Sequence, residues 1–256
     1  MSLRLLQPDS QFALHHRQHV HGHPGVELQT TVGGQPNPFV GLGVARNPNG
    51  AFSTQLSGTW DTFYAAKRSS ATRRRDRTKL KKLSEIGEVA LVEPRAADER
   101  AATLETLMTQ KGKAFAAMGV ANIFERPGHR EFYRSLVANE SMQDQVHVSR
   151  LDVGSATAAV NVALVFRGSY YHLLASYFDG EVARFGPGAA HLHHLMRHAI
   201  SRGYQVFDFT IGDEPYKRDW SDTEIRLFDH VSAVTLRGWP AALQDRKSTR
   251  LNSSHT

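Results

Sequence analysis

The fold is decided by residues 170–220, YYHLLASYFDGEVARFGPGAAHLHHLMRHAISRGYQVFDFTIGDEPYKRDW. Tyr170 to Tyr177 is an aromatic, strand-like run, and Arg184, Phe185, Gly186, Pro187 and Gly188 form a glycine-bearing loop. From Ala189 to Arg202, Leu192, Leu195, Met196, Ala199 and Ile200 recur at the spacing of one buried helical face. After Gly203 a second apolar run, Tyr204 to Thr210, leads into the polar cluster Gly212, Asp213, Glu214, Pro215, Tyr216, Lys217. Strand, loop, helix and strand in this order build a parallel strand pair, because parallel neighbours need a crossover between them. The loop brings backbone amides and a helix N-terminus to one point, which suits an anion such as phosphate. Such glycine loops also occur where no phosphate binds, and Pro187 takes one amide out of the cradle.

Upstream, Gln145 to Val153 and Ala158 to Phe166 read as strands divided by Gly154 and Ser155, and Arg167, Gly168, Ser169 form the next turn. Three strands joined by tight turns make an antiparallel meander, to which the crossover adds a parallel strand. The expected class is therefore α/β (α+β) with a mixed sheet. Phe207, Asp208, Phe209 followed by Gly212 to Lys217 and Trp220, together with Trp60, Tyr64, Ser69 and Ser70 ahead of a basic run, carry a family likeness. Over roughly Phe52 to Trp239 the chain resembles the GNAT acetyltransferase domain of the cellulose-biosynthesis-protein (CelD/BcsL-like) type, which is distantly related to Fem-type aminoacyltransferases.

The resemblance implies a GNAT fold and an acyltransferase that uses acetyl-CoA or another acyl-CoA as co-substrate. Its acceptor would be a small molecule, a sugar or a polysaccharide-related compound. Pantetheine would lie where Tyr170–Tyr177, ending in Ser176 and Tyr177, splays from Tyr204–Thr210. Pyrophosphate would meet Gly186 and the amides of Gly188, Ala189 and Ala190, with Arg184 as counter-charge. The family's loop places Arg or Gln, two residues, Gly, one residue, then Gly or Ala, and Arg184 to Gly188 departs from that pattern. Asp208, Asp213, Glu214 and Tyr216 are the candidates for proton transfer, and Lys217 for holding a phosphate or an oxyanion. Two structural readings stand beside these: Asp208 as a partnered sheet aspartate, and Asp213 with Lys217 as a surface ion pair.

The chain has 256 residues, 40% of them hydrophobic and 22% charged, as in ordinary globular proteins. It has no cysteine, so disulfides, thiolate metal sites and a cysteine nucleophile are excluded. No apolar run approaches the ~20 residues of a membrane helix, and no signal-peptide core opens the chain, so the cytoplasm is the expected compartment. The net charge of +6 is a local matter. Nine cations from Lys67 to Lys82, Arg73, Arg74, Arg75 and Arg77 among them, face only Asp76, a local charge of +8. Leu80 and Leu83 give this stretch, Ser69 to Ile86, one narrow apolar edge of a helix. A solvated face, a docking surface for an anionic cofactor and a nucleic-acid arm are the competing readings. No aromatic lies within the run to stack on bases, so nucleic acid is not expected unless the donor is an aminoacyl-tRNA.

Two helices, about Ala97 to Met118 and about Gly128 to Ala138, precede the meander. Residues 1–58 form a Gly-, Pro- and His-rich segment, expected to be the remnant of a preceding GNAT-like half; 59–245 form the acyltransferase domain. Within the former, His15, His16, His19, His21 and His23 lack a visible strand or helix frame, so adventitious metal affinity is the expectation. Residues 246–256, cutting off a helix begun at Trp239 to Leu243, look like translated vector-derived sequence. His191, His194 and His198 share a helix face, but without the glutamate of the zinc-protease pattern, and no metal is expected. Three functions are open: an acyl-CoA-dependent N- or O-acyltransferase, a Fem-type aminoacyl-tRNA-dependent transferase whose Phe-Lys motif Tyr216 and Lys217 echo, or a catalytically degenerate GNAT-fold binding module.

Overall fold

The computed structural model describes residues 2–5, 13–20, 31–32, 35–36 and 44–233. In chain order these form β1 (Ser2–Leu5), β2 (Ala13–Val20), β3 (Thr31–Val32), β4 (Gln35–Pro36), β5 (Val44–Gln55), α1 (Trp60–Lys67), α2 (Ser70–Ile86) and β6 (Val89–Val92). Next come α3 (Ala97–Ala117), α4 (His129–Ala138), β7 (Val146–Val153), β8 (Ala156–Phe166), β9 (Ser169–Tyr177), α5 (Pro187–Ser201), β10 (Val206–Ile211), α6 (Pro215–Trp220) and β11 (Thr223–Ala233). Two compact units result, Thr54–Thr210 on the one hand and Met1–Ser53 with Ile211–Thr256 on the other. No helix among the described residues is long and apolar enough to cross a membrane.

In the unit Thr54–Thr210, β6, β7, β8 and β9 form an antiparallel meander, and β10 adds to β9 in parallel. Alternation along β7 and β8 sorts the two faces of this sheet. Val146, Val148, Val160 and Val162 pack with Leu104, Leu107 and Met108 of α3 and Val137 of α4. On the other face, α5 covers β7, β8 and β9, and α2 and α1 pack beside it. Burying each of these Val and Leu side chains stabilises the unit by about 1.5–3 kcal/mol before chain entropy is charged. The buried Arg100 guanidinium donates to the carbonyls of Val137 and Val146 and so ties α4 and β7 to α3. Side-chain caps open α1 and α2: Thr59 and Thr62 form a reciprocal capping box, and Ser69 accepts from Thr72 N–H.

β9 carries a bulge that redirects its side chains. Val162 pairs with Leu174 and Leu164 with Tyr171, so His172 and Leu173 together oppose Ala163. Parity along the strand reverses there. Tyr170 faces α5 with His147, whereas Leu174 joins the α3 cluster and Ser176 donates to Gln110 Oε1 of α3.

In the other unit, β11 lies between β2 and β5, antiparallel to both, and β1 borders β2. Ala51, Ile225 and Leu227 are its buried apolar cluster, and Asn47 Nδ2 donates to Asp229.

The meander, the crossover helix and the parallel strand are found where the sequence places them, with α5 beginning at Pro187 and β10 running from Val206 to Ile211. Nine elements go beyond the sequence reading: β1 to β6, α1, α6 and β11. The strand frame missing around the early histidines is a further correction. His15, His16 and His19 lie in β2, whose Leu-His-His-Arg-Gln-His order has no alternation to betray a strand. His21, His23, Trp239 to Leu243 and the tail 246–256 lie outside the described residues.

Candidate active site

β9 and β10 are paired at only three positions, Val206 with Ser169, Phe207 with Tyr170 and Asp208 with Tyr171. Beyond them β9 continues for six residues. Two local devices end the pairing. The bulge at His172 and Leu173 increases the twist of β9, and Thr210 holds a left-handed φ of 60°, uncommon for a β-branched residue. Asp208 stabilises that bend by accepting the N–H of Thr210 at 2.7 Å, and Thr210 Oγ1 donates to His172 O. Asp208, buried to 8% exposure, is thus a partnered strand aspartate.

The open end of this strand pair leads to the start of α5. A 3-10 turn, Glu181–Phe185, ends at Gly186, whose φ of 66° makes it the left-handed N-cap, and Pro187 takes the first helical position, where a missing N–H costs nothing. No side chain caps this helix. Its first intrahelical bond runs from Ala190 N–H to Gly186 O, so of the three amides expected to meet an anion Ala190 is committed and Gly188 and Ala189 remain. The ring of Tyr177 lies beside Gly188: a Cβ there would be 3.5 Å from Cδ1 of Tyr177. Tyr177 and the α5 N-terminus are therefore brought together, and Ser176 turns to the α3 face.

A cleft of about 420 Å³ adjoins the same point, walled by α1, α2 and α5. Gly186, Ala189 and Ala190 form its helix-start wall. Arg73, Arg77, Lys79 and Arg197 line it with only Asp61 and Asp76 opposing them. Spacing explains the set, since Arg73, Asp76, Arg77 and Leu80 fall at i, i+3, i+4 and i+7 on the inner edge of α2. Arg73 Nε is buried without a hydrogen-bond partner. At the back, Trp60 stacks on Tyr64 at 4.9 Å and His193 tilts against both. Tyr64 O–H donates to Asp76, whose charge and burial raise the phenol above its usual range, burial leading. Burial also pushes His193 down to about 4 against the opposing pull of Asp76, so its imidazole is neutral at pH 7.

Arg184 is 65% exposed, pairs with Glu181 and stacks over Phe185, and it is not among the residues lining the cleft. Lys79 stands in the place expected for it, its Nζ 3.8 Å from a Cβ built on Gly186.

Asp213, Glu214, Tyr216 and Lys217 belong to the unit Ile211–Thr256 and shape a single turn around α6. Lys217, 3% exposed, donates to Ile211 O at 2.7 Å and to Glu214 Oε2 at 2.9 Å. Asp213 pairs with Arg218 instead, so the expected Asp213–Lys217 surface pair does not form. Gly212 is required here, because its φ is 132° and a Cβ would sit 2.3 Å from Glu214 Oε2. Burial, then the charge of Glu214, holds the Tyr216 hydroxyl above its usual range, so it keeps its proton at neutral pH.

The family profile described as acetyltransferase (GNAT) domain matches residues 70–218. The chain belongs to the GNAT acetyltransferase family. The matched residues run from the start of α2 to Arg218 of α6. Among solved structures, this GNAT chain is similar to FemX, with 12% identity, a TM-score of 0.53, and coverage of 78% of this chain and 64% of the other. It thus spans less than two thirds of the FemX structure, and the likeness is one of fold. Two further structures are similar at lower scores. One is the C-terminal domain of an Agrobacterium fabrum protein named a putative lysylphosphatidylglycerol synthetase, at 14% identity, TM-score 0.49, 82% and 67% coverage. The other is L-PGS from Bacillus licheniformis, at 12% identity, TM-score 0.48, 84% and 68% coverage. No curated protein matches the chain.

Of the residues lining the cleft, His193 and Arg197 are not marked out by the sequence; Trp60 enters there only through the family likeness, and Arg73, Arg77 and Lys79 only within a basic run whose role is left open. Their signal is present in the i, i+4 spacings Trp60–Tyr64, Arg73–Arg77 and His193–Arg197, but nothing in one dimension aligns α1 and α2 with α5.

Proposed function

We propose that this GNAT domain is an acyl-CoA-dependent N- or O-acyltransferase. The observation that carries the reading is the parting of β9 from β10 after three residue pairs, at the uncapped N-terminus of α5. An extended thioester arm fits where β9 and β10 are no longer paired with each other. The amides of Gly188 and Ala189, with Lys79, supply the positive end that a pyrophosphate needs, and Arg73, Arg77 and Arg197 extend it along the cleft. The stacked Trp60 and Tyr64 offer an aromatic wall to a nucleotide base.

The chain's own chemistry is modest, as acyl transfer from a thioester needs positioning and proton management. Tyr216, held protonated, is the donor to the departing thiolate. Asp213 and Glu214 are the candidates to take the acceptor's proton. Lys217, buried under the turn, fixes that segment and presents Tyr216. Asp208 acts earlier in the hierarchy, by holding the bend at Thr210 that separates the strands. For the acceptor, the resemblance to the cellulose-biosynthesis type favours a saccharide, received on the α3 side of the slot.

Isothermal titration of the full chain with acetyl-CoA tests the reading. Saturable binding that weakens with added salt is expected, and a folded protein that gives no heat would overturn it. The Fem-type alternative, an aminoacyl-tRNA donor, is favoured by the basic outer edge of α2. It predicts tRNA binding with a steep salt slope and no response to acetyl-CoA.

A further inference from the structure

At the closed end of the strand pair, three side chains from distant parts of the chain converge beneath α5. Glu93 follows β6, His147 is the second residue of β7, and His198 lies in the C-terminal half of α5, about three turns from its start. Glu93 Oε1 is 2.8 Å from His198 Nδ1 and 3.4 Å from His147 Nε2. The ligand-type atoms of the three residues all lie within 4.8 Å of one another, and they are the one such trio of His, Asp or Glu among the described residues. His147 Nε2 is buried and no well-aligned hydrogen bond reaches it, although the carboxylate is near.

A second layer orients the trio. The other nitrogen of His147, Nδ1, is hydrogen-bonded to Tyr170 Oη at 2.8 Å, and Asn161 Nδ2 donates to the same Oη. Tyr170 and Asn161 are both fully buried, so His147 is held in place by rigid neighbours. Two imidazoles and one carboxylate, with an outer partner fixing one ring, is a donor set that borderline divalent ions favour.

We propose that Glu93, His147 and His198 bind one divalent transition-metal ion of the zinc class, with an open fourth position toward solvent. Bonds of about 2.0–2.1 Å place tetrahedral ligands about 3.3 Å apart, close to the Glu93–His147 separation. The His198–Glu93 contact then lengthens by about half an ångström from its hydrogen-bond distance. The two rings lie face to face, centroids 4.4 Å apart and planes 10° from parallel. One ring turns about its Cβ–Cγ bond so that both lone pairs converge on the ion. Bound there, the ion links the segment after β6, β7 and α5, and so clamps the end of the fold opposite the slot.

The test uses the full chain after chelator treatment, with Co²⁺ as the spectroscopic probe and Zn²⁺ as competitor. Because His15, His16 and His19 add background, the comparison is between the wild type and Glu93→Gln, His198→Gln and Tyr170→Phe. Wild-type protein is expected to show one equivalent of Co²⁺ with ligand-field bands displaced by Zn²⁺, and a thermal midpoint raised by Zn²⁺. In Glu93→Gln and His198→Gln that equivalent and the midpoint shift are lost, and in Tyr170→Phe binding weakens about tenfold. Far-UV circular dichroism verifies that each variant is folded, and Glu93→Gln keeps the shape of the site if His198→Gln does not fold. Equal uptake and equal spectra in wild type and variants would assign the metal to other histidines and overturn the proposal. So would a wild type that binds neither ion.

Discussion

The Lys79 ammonium stands 3.8 Å from the point where a side chain would leave Gly186, directly beside the uncapped start of α5. A cation and the positive end of a helix dipole repel each other by about 0.3–1 kcal/mol at such a surface position. The pair is tolerable in the free protein and favourable only with an anion between them. Lys79→Ala is therefore expected to leave the free protein as stable as the wild type or slightly more so, while weakening acetyl-CoA binding about five- to twentyfold. Thermal melts with and without acetyl-CoA measure both halves at once. A variant that melts lower and binds equally well contradicts the assignment.

Tyr216→Phe removes a hydroxyl and almost no volume. If that hydroxyl protonates the leaving thiolate, kcat falls about 10²- to 10⁴-fold while KM for acyl-CoA stays within about twofold. Release of free thiol, followed with a chromogenic reagent, gives both constants.

Gly212→Ala forces a Cβ against Glu214 and a left-handed φ on alanine. The expected cost is about 1–3 kcal/mol, read as a lower urea midpoint. Glu214→Ala should not rescue it, because the same Cβ also meets Lys217 Nζ at 2.8 Å, the φ penalty stays, and buried Lys217 loses its carboxylate partner.

Buried neutral histidines make stability depend on acidity. Burial holds His191 well below its usual value and His193 at about 4. Below about pH 6.5 the unfolded chain takes up protons that the folded protein refuses, so stability falls as pH drops from 6.5 toward 4. Each such histidine contributes up to about 1.4 kcal/mol per pH unit across that window and nothing above it. His193→Gln should flatten the slope of unfolding free energy against pH by about one proton between about pH 6.5 and 4, as measured by urea melts at several pH values.

Most of the 145–211 stretch is legible in the sequence because its elements are amphipathic at the right period and its turns are marked by Gly154, Gly168 and Gly203. The basic run reads as a helix, but its role does not show. Only the packing of α2 beside α5 makes Arg73 and Arg77 line the cleft while Arg74 and Arg75 do not. β6, Val89–Val92, is four residues long and too short to show alternation. β5 carries Asn47, Pro48 and Asn49, which read as a loop and in fact bulge opposite Leu227 of β11. The parity change in β9 is invisible for a similar reason: Tyr170, His172, Leu174 and Ser176 alternate smoothly in sequence, yet the bulge sends Tyr170 to α5 and both Leu174 and Ser176 to α3. Glu93, His147 and His198 are 54 and 51 residues apart along the chain, and no spacing rule joins them.

The kink at Thr210 and the two-against-one mismatch at Ala163 are covalently local, so the gap between β9 and β10 is present before any donor arrives. On the proposed reading, entry then breaks no β9–β10 ladder pair. Observed association rates should rise linearly with donor concentration without levelling off, and differences in affinity among donors should show up as differences in how long each stays.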